Sequence, residues 1–208
     1  MTEPAVVREK RAAAEAAAQL VEDGMKVGLG TGSTVAFLLP ALAARGLRDL
    51  RCVATSVATE EHARSLGLPV EPFEELDRLD IAIDGADQVT PDRWLVKGGG
   101  GAHTREKIVA AAAGRFVVIV SSDKLVDALR PPVPLELLPF GLAATLRAVR
   151  PASVRGAPPS PDGGVIADYT GPVDDPEALA ARLAATPGVV DHGLFPPSLI
   201  GEIVVGQP

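Results

Sequence analysis

The stretch Ile81–Lys107, IAIDGADQVTPDRWLVKGGGGAHTREK, restricts the fold of this 208-residue chain more than any other. A strand-like run, Leu79–Ile83, ends directly on Asp84-Gly85-Ala86-Asp87. One polar turn later, Trp94-Leu95-Val96 delivers Lys97 into four successive glycines. These open on Thr104-Arg105-Glu106-Lys107 at the start of a helical pattern. Such a run needs a sheet edge from which loops emerge and a helix that receives them. Four glycines lose much conformational entropy on ordering, which suits close approach of backbone to a ligand better than a plain connector.

The rest of the chain supplies that sheet. Pro4–Val21 reads as an alanine-rich helix stopped at Gly24. Met25–Leu29 reads as a strand, Gly30-Thr31-Gly32-Ser33-Thr34 as a glycine loop, and Val35–Ala44 as a helix. The pattern repeats with a strand over Leu50–Thr55 and a helix over Ser56–Leu66. A short strand at Val70 and a helical turn over Phe73–Arg78 follow. After the opening stretch come a helix, Thr104–Ala113, closed by Gly114, and an apolar strand, Phe116–Val120. Strands alternating with helices imply an α/β fold with a mostly parallel sheet and helices on both faces.

The texture changes after Arg130. Pro131, Pro132 and Pro134 read as a stiff hinge, and Pro139–Arg150 as a helix with proline in its first turn. A turn-rich loop over Pro158–Gly164 leads to a strand, Val165–Tyr169. Asp174-Asp175-Pro176-Glu177 caps a helix running to Ala185, and Val189–Leu194 is a further strand. The expectation is a main domain of residues 1–130 and 199–208, in which Ile200–Val205 rejoins the sheet, and a small α+β lobe of residues 131–198.

A net charge of -7 and a pI near 5.0 argue against general nucleic-acid or anionic-membrane binding, while leaving room for a local phosphate pocket. No stretch approaches the ~20 apolar residues that span a bilayer, and the N-terminus lacks a secretory apolar region, so a cytoplasmic protein is expected. The single cysteine, Cys52, reads as a buried strand residue.

Several groups point to chemistry. In Gly28–Thr34 the glycines let backbone amides face an anion, and the next helix adds its positive end. The dinucleotide fingerprint fails here, because Ser33 stands where it needs glycine and no acid follows about 20 residues on. The triphosphate loop fails for want of Gly-Lys-Ser/Thr. The alternative is a tight turn with Ser33 as helix cap. Asp84 and Asp87 lie at the carboxyl end of a strand, where open α/β sheets bind ligands, although Asx-turn chemistry would also place acids there. Beside Lys97 and these acids, Glu106 suits proton abstraction next to a carbonyl; by itself it would complement the helix dipole. Lys124, in Ser121-Ser122-Asp123-Lys124, reads equally as a phosphate ligand or a surface lysine, and Lys10 is a weaker candidate of that kind. His103 is not at metal-ligand spacing, and His62 and His192 read as surface or packing residues.

GTGST (Gly30–Thr34), DGAD (Asp84–Asp87), KGGG (Lys97–Gly100), TREK (Thr104–Lys107) and PGVVDHGLF (Pro187–Phe195), in this order, resemble type A ribose-5-phosphate isomerase. The resemblance implies an aldose–ketose isomerase of ribose and ribulose 5-phosphate working without metal or cofactor. It makes Glu106 the base, Asp84 the group handling the ring-opening or hydroxyl proton, and Lys97 the stabiliser of the oxyanion. Asp87 would hold hydroxyls or Lys97. Thr31, Gly32, Ser33, Thr34, Gly85, Ala86, Gly98, Gly99, Gly100 and Lys124 fall on substrate-binding positions. It also implies a Rossmann-like domain with a ferredoxin-like lobe, assembled as a homodimer or homotetramer. His103 stands where an apolar residue is expected, and Pro151–Gly163 and Pro196–Pro208 match the family poorly. Competing readings are a non-catalytic sugar-phosphate sensor and a sugar-phosphate deaminase or lactonase on the same scaffold.

Overall fold

The computed structural model of the chain describes residues 3–207. In chain order its elements begin with α1 (Ala5–Ala18), β1 (Lys26–Leu29), α2 (Val35–Ala43), β2 (Arg51–Ala54), α3 (Val57–Ser65) and β3 (Leu79–Asp84). Next come β4 (Gln88–Val89), β5 (Leu95–Val96), α4 (His103–Ala112), β6 (Ala113–Val120) and β7 (Val133–Leu137). The remainder are α5 (Leu142–Ala148), β8 (Ala152–Val154), β9 (Val165–Tyr169), α6 (Pro176–Ala184), β10 (Val189–His192), β11 (Leu194–Phe195) and β12 (Glu202–Val205). None of the described helices is long and apolar enough to cross a membrane.

Contacts group the chain into two units. The first comprises the described residues up to Ala86, Arg105–Lys124, and those from Ser198 on; the second comprises Asp87–Thr104 and Leu125–Pro197. Asp87–Thr104 and Leu125–Arg130, which the sequence reading put with the main sheet, group with the second unit. The outermost positions of the expected first domain, Met1, Thr2 and Pro208, lie outside the described residues.

The first unit holds a parallel five-stranded sheet in the order β12-β6-β3-β1-β2. Side chains alternate between its two faces. Val27, Leu29, Ile81, Ile83, Val117 and Ile119 face one core with Ala13, Ala14 and Ala17 of α1 and Leu38, Leu39 and Leu42 of α2. On the other face a Cβ on Gly28 would lie 2.4 Å from Val109 Cγ1 of α4 and 3.0 Å from Ala82 Cβ. Gly28 is therefore a packing residue within β1, not part of the anion loop. Gly114 likewise lies in β6, which follows α4 without a break, and is not a helix stop.

The second unit contains β7-α5-β8-β9-α6-β10, a βαββαβ succession whose antiparallel sheet runs β10-β7-β9-β8. This is the ferredoxin-like arrangement. Leu135, Leu137, Tyr169, Leu179 and Leu183 form its core. Asp175 caps α6 by accepting the Ala178 N–H at 2.9 Å. A small antiparallel sheet, β11-β5-β4, belongs to the same unit. Here the proline-rich hinge is corrected, because Val133–Leu137 is a fully buried strand paired on both sides. Pro134 fits because the β10 ladder ends at the His192–Leu135 pair, and the Pro134 carbonyl accepts the Gly193 N–H at 2.7 Å. The strand expected over Val189–Leu194 divides at Gly193 into β10 and β11.

Candidate active site

In the first unit, numbering the sheet strands by their order in the chain gives 2-1-3-4-5. In that doubly wound order the connections diverge between strands 1 and 3, opening a ligand crevice at their carboxyl ends. β1 delivers Gly30–Thr34 to this edge and β3 delivers Asp84. Asp84, 3% exposed, ties the two loops together. Its Oδ1 accepts the backbone N–H of Thr31 at 3.0 Å and that of Gly85 at 2.7 Å. The approach demands glycine at position 30, since a Cβ there would lie 2.0 Å from the Asp84 carboxylate. Thr31 Oγ1 meets the Thr55 hydroxyl at 2.7 Å and the Ser56 hydroxyl at 2.9 Å, while Thr59 donates to the Gly30 carbonyl at 2.9 Å. The loop is thus held by α3 as well as by β3.

Ser33 is not the helix cap of the alternative reading; Thr34 occupies that position, without a side-chain cap bond. The Ser33 hydroxyl instead accepts from Lys10 Nζ at 2.9 Å. The preceding residue, Glu9, is buried and accepts the Ser122 N–H at 2.7 Å. Consecutive residues of α1 therefore hold two of the loops at this edge. Sequence reasoning ranked Lys10 low and missed Glu9, because both partners are remote in the chain and the alanine-rich helix gives no local sign of them. Lys124 pairs with Asp123 at 3.2 Å. Burial pushes the Asp123 carboxyl up, but hydrogen bonds from Ser121 and Lys124 outweigh it and hold the group below its usual range. Glu106 lies in the first turn of α4, 4% exposed.

In the second unit, Asp87 and the glycine loop come together. The Asp87 N–H donates to the Val96 carbonyl and its carboxylate accepts the Gly99 N–H, both at 2.8 Å. Lys97, 3% exposed, is fixed by a backbone N–H bond to the Gly193 carbonyl at 2.8 Å, and its ammonium lies 5.6 Å from the centre of the Phe195 ring. Gly98 turns the chain with φ +105°, where a Cβ would also lie 2.7 Å from His103 Nδ1. His103 is wholly buried, so the position expected to be apolar is interior as expected but filled by an imidazole.

Arg155 is a second residue that sequence reading missed. Its Nη1 donates to the carbonyls of Gly98 and Gly99 at 3.0 Å each, and its Nε donates to Asp168 Oδ2 at 2.9 Å. The Asp168 carboxylate raises the Arg155 pKa above its ordinary value. A lone arginine in a Pro/Gly-rich segment, outside the motifs that carried the resemblance, gave no local signal for this contact.

The family model of ribose 5-phosphate isomerase A (phosphoriboisomerase A) matches residues 51–208. The chain belongs to the ribose 5-phosphate isomerase A family. It is 46% identical to the ribose-5-phosphate isomerase A of Caulobacter vibrioides, over 95% of this chain and 93% of that protein. The structure of ribose 5-phosphate isomerase A from Neisseria gonorrhoeae superposes with a TM-score of 0.89 at 31% identity, covering 96% of this chain and 94% of that one. A D-ribose-5-phosphate isomerase in complex with phospho-erythronic acid matches with a TM-score of 0.86 at 35% identity, covering 93% of each chain. The ribose 5-phosphate isomerase A fold expected from GTGST, DGAD, KGGG and TREK is the fold found. Pro151–Gly163 and Pro196–Pro208, expected to match poorly, both lie inside the range of the family model.

Proposed function

We propose that the chain interconverts D-ribose 5-phosphate and D-ribulose 5-phosphate through an enediolate, with Glu106 as the base. One observation supports this reading above the others: Asp84, Lys97 and Glu106 are ionisable side chains only 3%, 3% and 4% exposed. Interiors do not hold such groups without a strong compensating reason, and catalysis of proton transfer is one.

In this reading Glu106 removes the proton from C2 of the open-chain aldose. The electron pair forms the C1–C2 double bond as the C1 carbonyl oxygen becomes an oxyanion. The C2 hydroxyl proton passes to the C1 oxyanion, and the same carboxyl returns the carbon proton to C1 as the C2 oxygen becomes the ketone, so no atom is gained or lost. Lys97 and loop amides stabilise the oxyanion, whose charge develops through the transition state toward the enediolate. Asp84 handles the hydroxyl proton released on ring opening, and Asp87 orders the glycine loop through Gly99. Thr31–Thr34 with Lys124 hold the phosphate, and Lys10 joins them through Ser33. Binding at that end supplies orientation remote from the reacting carbons. Phospho-erythronic acid, bound by the related enzyme, carries a phosphate at one end and a carboxylate at the other, the two anionic ends an enediolate phosphate would have.

The same reading places the enzyme in the cytoplasm as a homodimer or homotetramer, which sedimentation equilibrium would measure. The test of function is a panel of pentose and hexose phosphates assayed with excess chelator. Ribulose 5-phosphate formation from ribose 5-phosphate, undiminished by chelator, is expected. Turnover of a different phosphate alone, or complete loss on chelation, would sink the reading.

A further inference from the structure

Arg155 and Asp168 lie outside every motif that carries the family resemblance, yet they grip the glycine loop. The guanidinium spends its fork on Asp168 of β9 and aims Nη1 at two successive carbonyls, Gly98 and Gly99. Those peptides follow Lys97 directly, and the Gly99 N–H is the one that Asp87 binds. A second tie runs in parallel: buried Glu136 accepts hydroxyls from Thr104, at 2.5 Å, and from Ser160. The β8–β9 hairpin therefore holds the Gly98–Gly99 end of the segment Gly98–Thr104, and Glu136 of β7, itself bonded by Ser160 of the hairpin loop, holds the Thr104 end. Glycines have no side chains with which to fix themselves, so an order imposed from outside is needed wherever their amides must be preorganised.

We propose that Arg155, held in place by Asp168, is a positioning residue for catalysis: it sets the glycine loop after Lys97 in the geometry that stabilises the oxyanion. This rests on the role given to Lys97 above. Arginine suits the task because its planar fork binds a carboxylate while a remaining donor reaches the carbonyls; lysine offers only a point charge. The oxyanion develops at the transition state, so loss of this order lowers kcat and leaves substrate binding nearly intact.

The test measures isomerisation of ribose 5-phosphate by the parent, Arg155→Met, Arg155→Ala and Asp168→Asn. Displacement of a reacting group by about 1 Å costs roughly 10²-fold, and that loss in kcat is expected for Arg155→Met with KM changed less than about threefold. Guanidinium ion added to Arg155→Ala should recover about tenfold or more of the loss, since the ion restores the donors themselves. Hydrogen exchange at Gly99 and Gly101, whose N–H groups bond Asp87 and the Gly98 carbonyl, should quicken while β9 stays protected. If Arg155→Met does not fold, Asp168→Asn decides, with a smaller loss in kcat expected. A kcat that stays at the parent value, a loss confined to KM, no response to guanidinium, or unchanged glycine exchange each overturns the inference. An inactive parent would instead overturn the proposed function on which it rests.

Discussion

Glu106→Gln removes the proposed base while keeping the side chain's length. Turnover should fall at least about 10²-fold, the low end for a positioned general base. Steady-state kinetics check this, and near-parental turnover would take Glu106 out of the role. Cys52 offers a residue-scale test of the core. Burial, helped by Glu71, pushes its thiol up to about 12, whereas an unfolded thiol ionises near 8.5. Between those values the unfolded chain sheds a proton that the fold retains, so stability is intact below the lower value and lost as pH rises toward the upper. At pH 10 the loss is about 2 kcal/mol relative to pH 8. Denaturant unfolding of the parent and Cys52→Ala at both pH values isolates it; an equal change in both proteins would show a thiol open to solvent. At this scale the motif residues were legible because chemistry had written them locally: acids at a strand end, lysine before glycines. Glu9 and Arg155 were not, since their meaning comes from partners that only folding brings near.

The contact between β1 and α4 turns on a missing side chain. Gly28→Ala would set a methyl 2.4 Å from Val109 Cγ1 and 3.0 Å from Ala82 Cβ. Overpacking of this kind costs about 1–3 kcal/mol. Val109→Ala in the same chain should recover part of it, giving less destabilisation than the two single changes summed. Thermal unfolding of the three variants measures the coupling, and strict additivity would show that the helix had simply shifted away. Elements with a clear period were legible from sequence, as with α1, α3, α6 and the strands of the parallel sheet. β7 was not, because three prolines in four residues outweigh any strand propensity. What the local reading could not contain was that the β10 ladder stops short of Pro134, leaving no bond for the absent N–H to make.

Across the whole molecule the chain leaves the first unit at Ala86 and again after Lys124, and comes back to it at Arg105 and Ser198. The last return supplies β12 beside β6, secured by N–H bonds from Gly201 to the Phe116 carbonyl and from Gly206 to Val120, both 2.9 Å. Removing the segment from Ser198 on would leave Val117–Val120 as an unpaired, fully apolar edge, a template for association with other chains. Light scattering should show aggregates at concentrations where the parent is clear; a dispersed variant melting as cooperatively as the parent would show that β12 is dispensable.

That pairing also dictates an order of events. Glu202 meets Val117, its partner 85 positions earlier, and each later pair repeats the interval. Strands β1, β2, β3 and β6 can find one another over shorter loops, while the fifth must await a long closure whose entropy is met before any contact rewards it. Until then the nascent sheet presents β6 to its surroundings. Refolding should therefore have a slow phase that fluorescence or exchange labels on β12 report, and its yield should fall as protein concentration rises, because neighbouring chains compete for the same waiting edge.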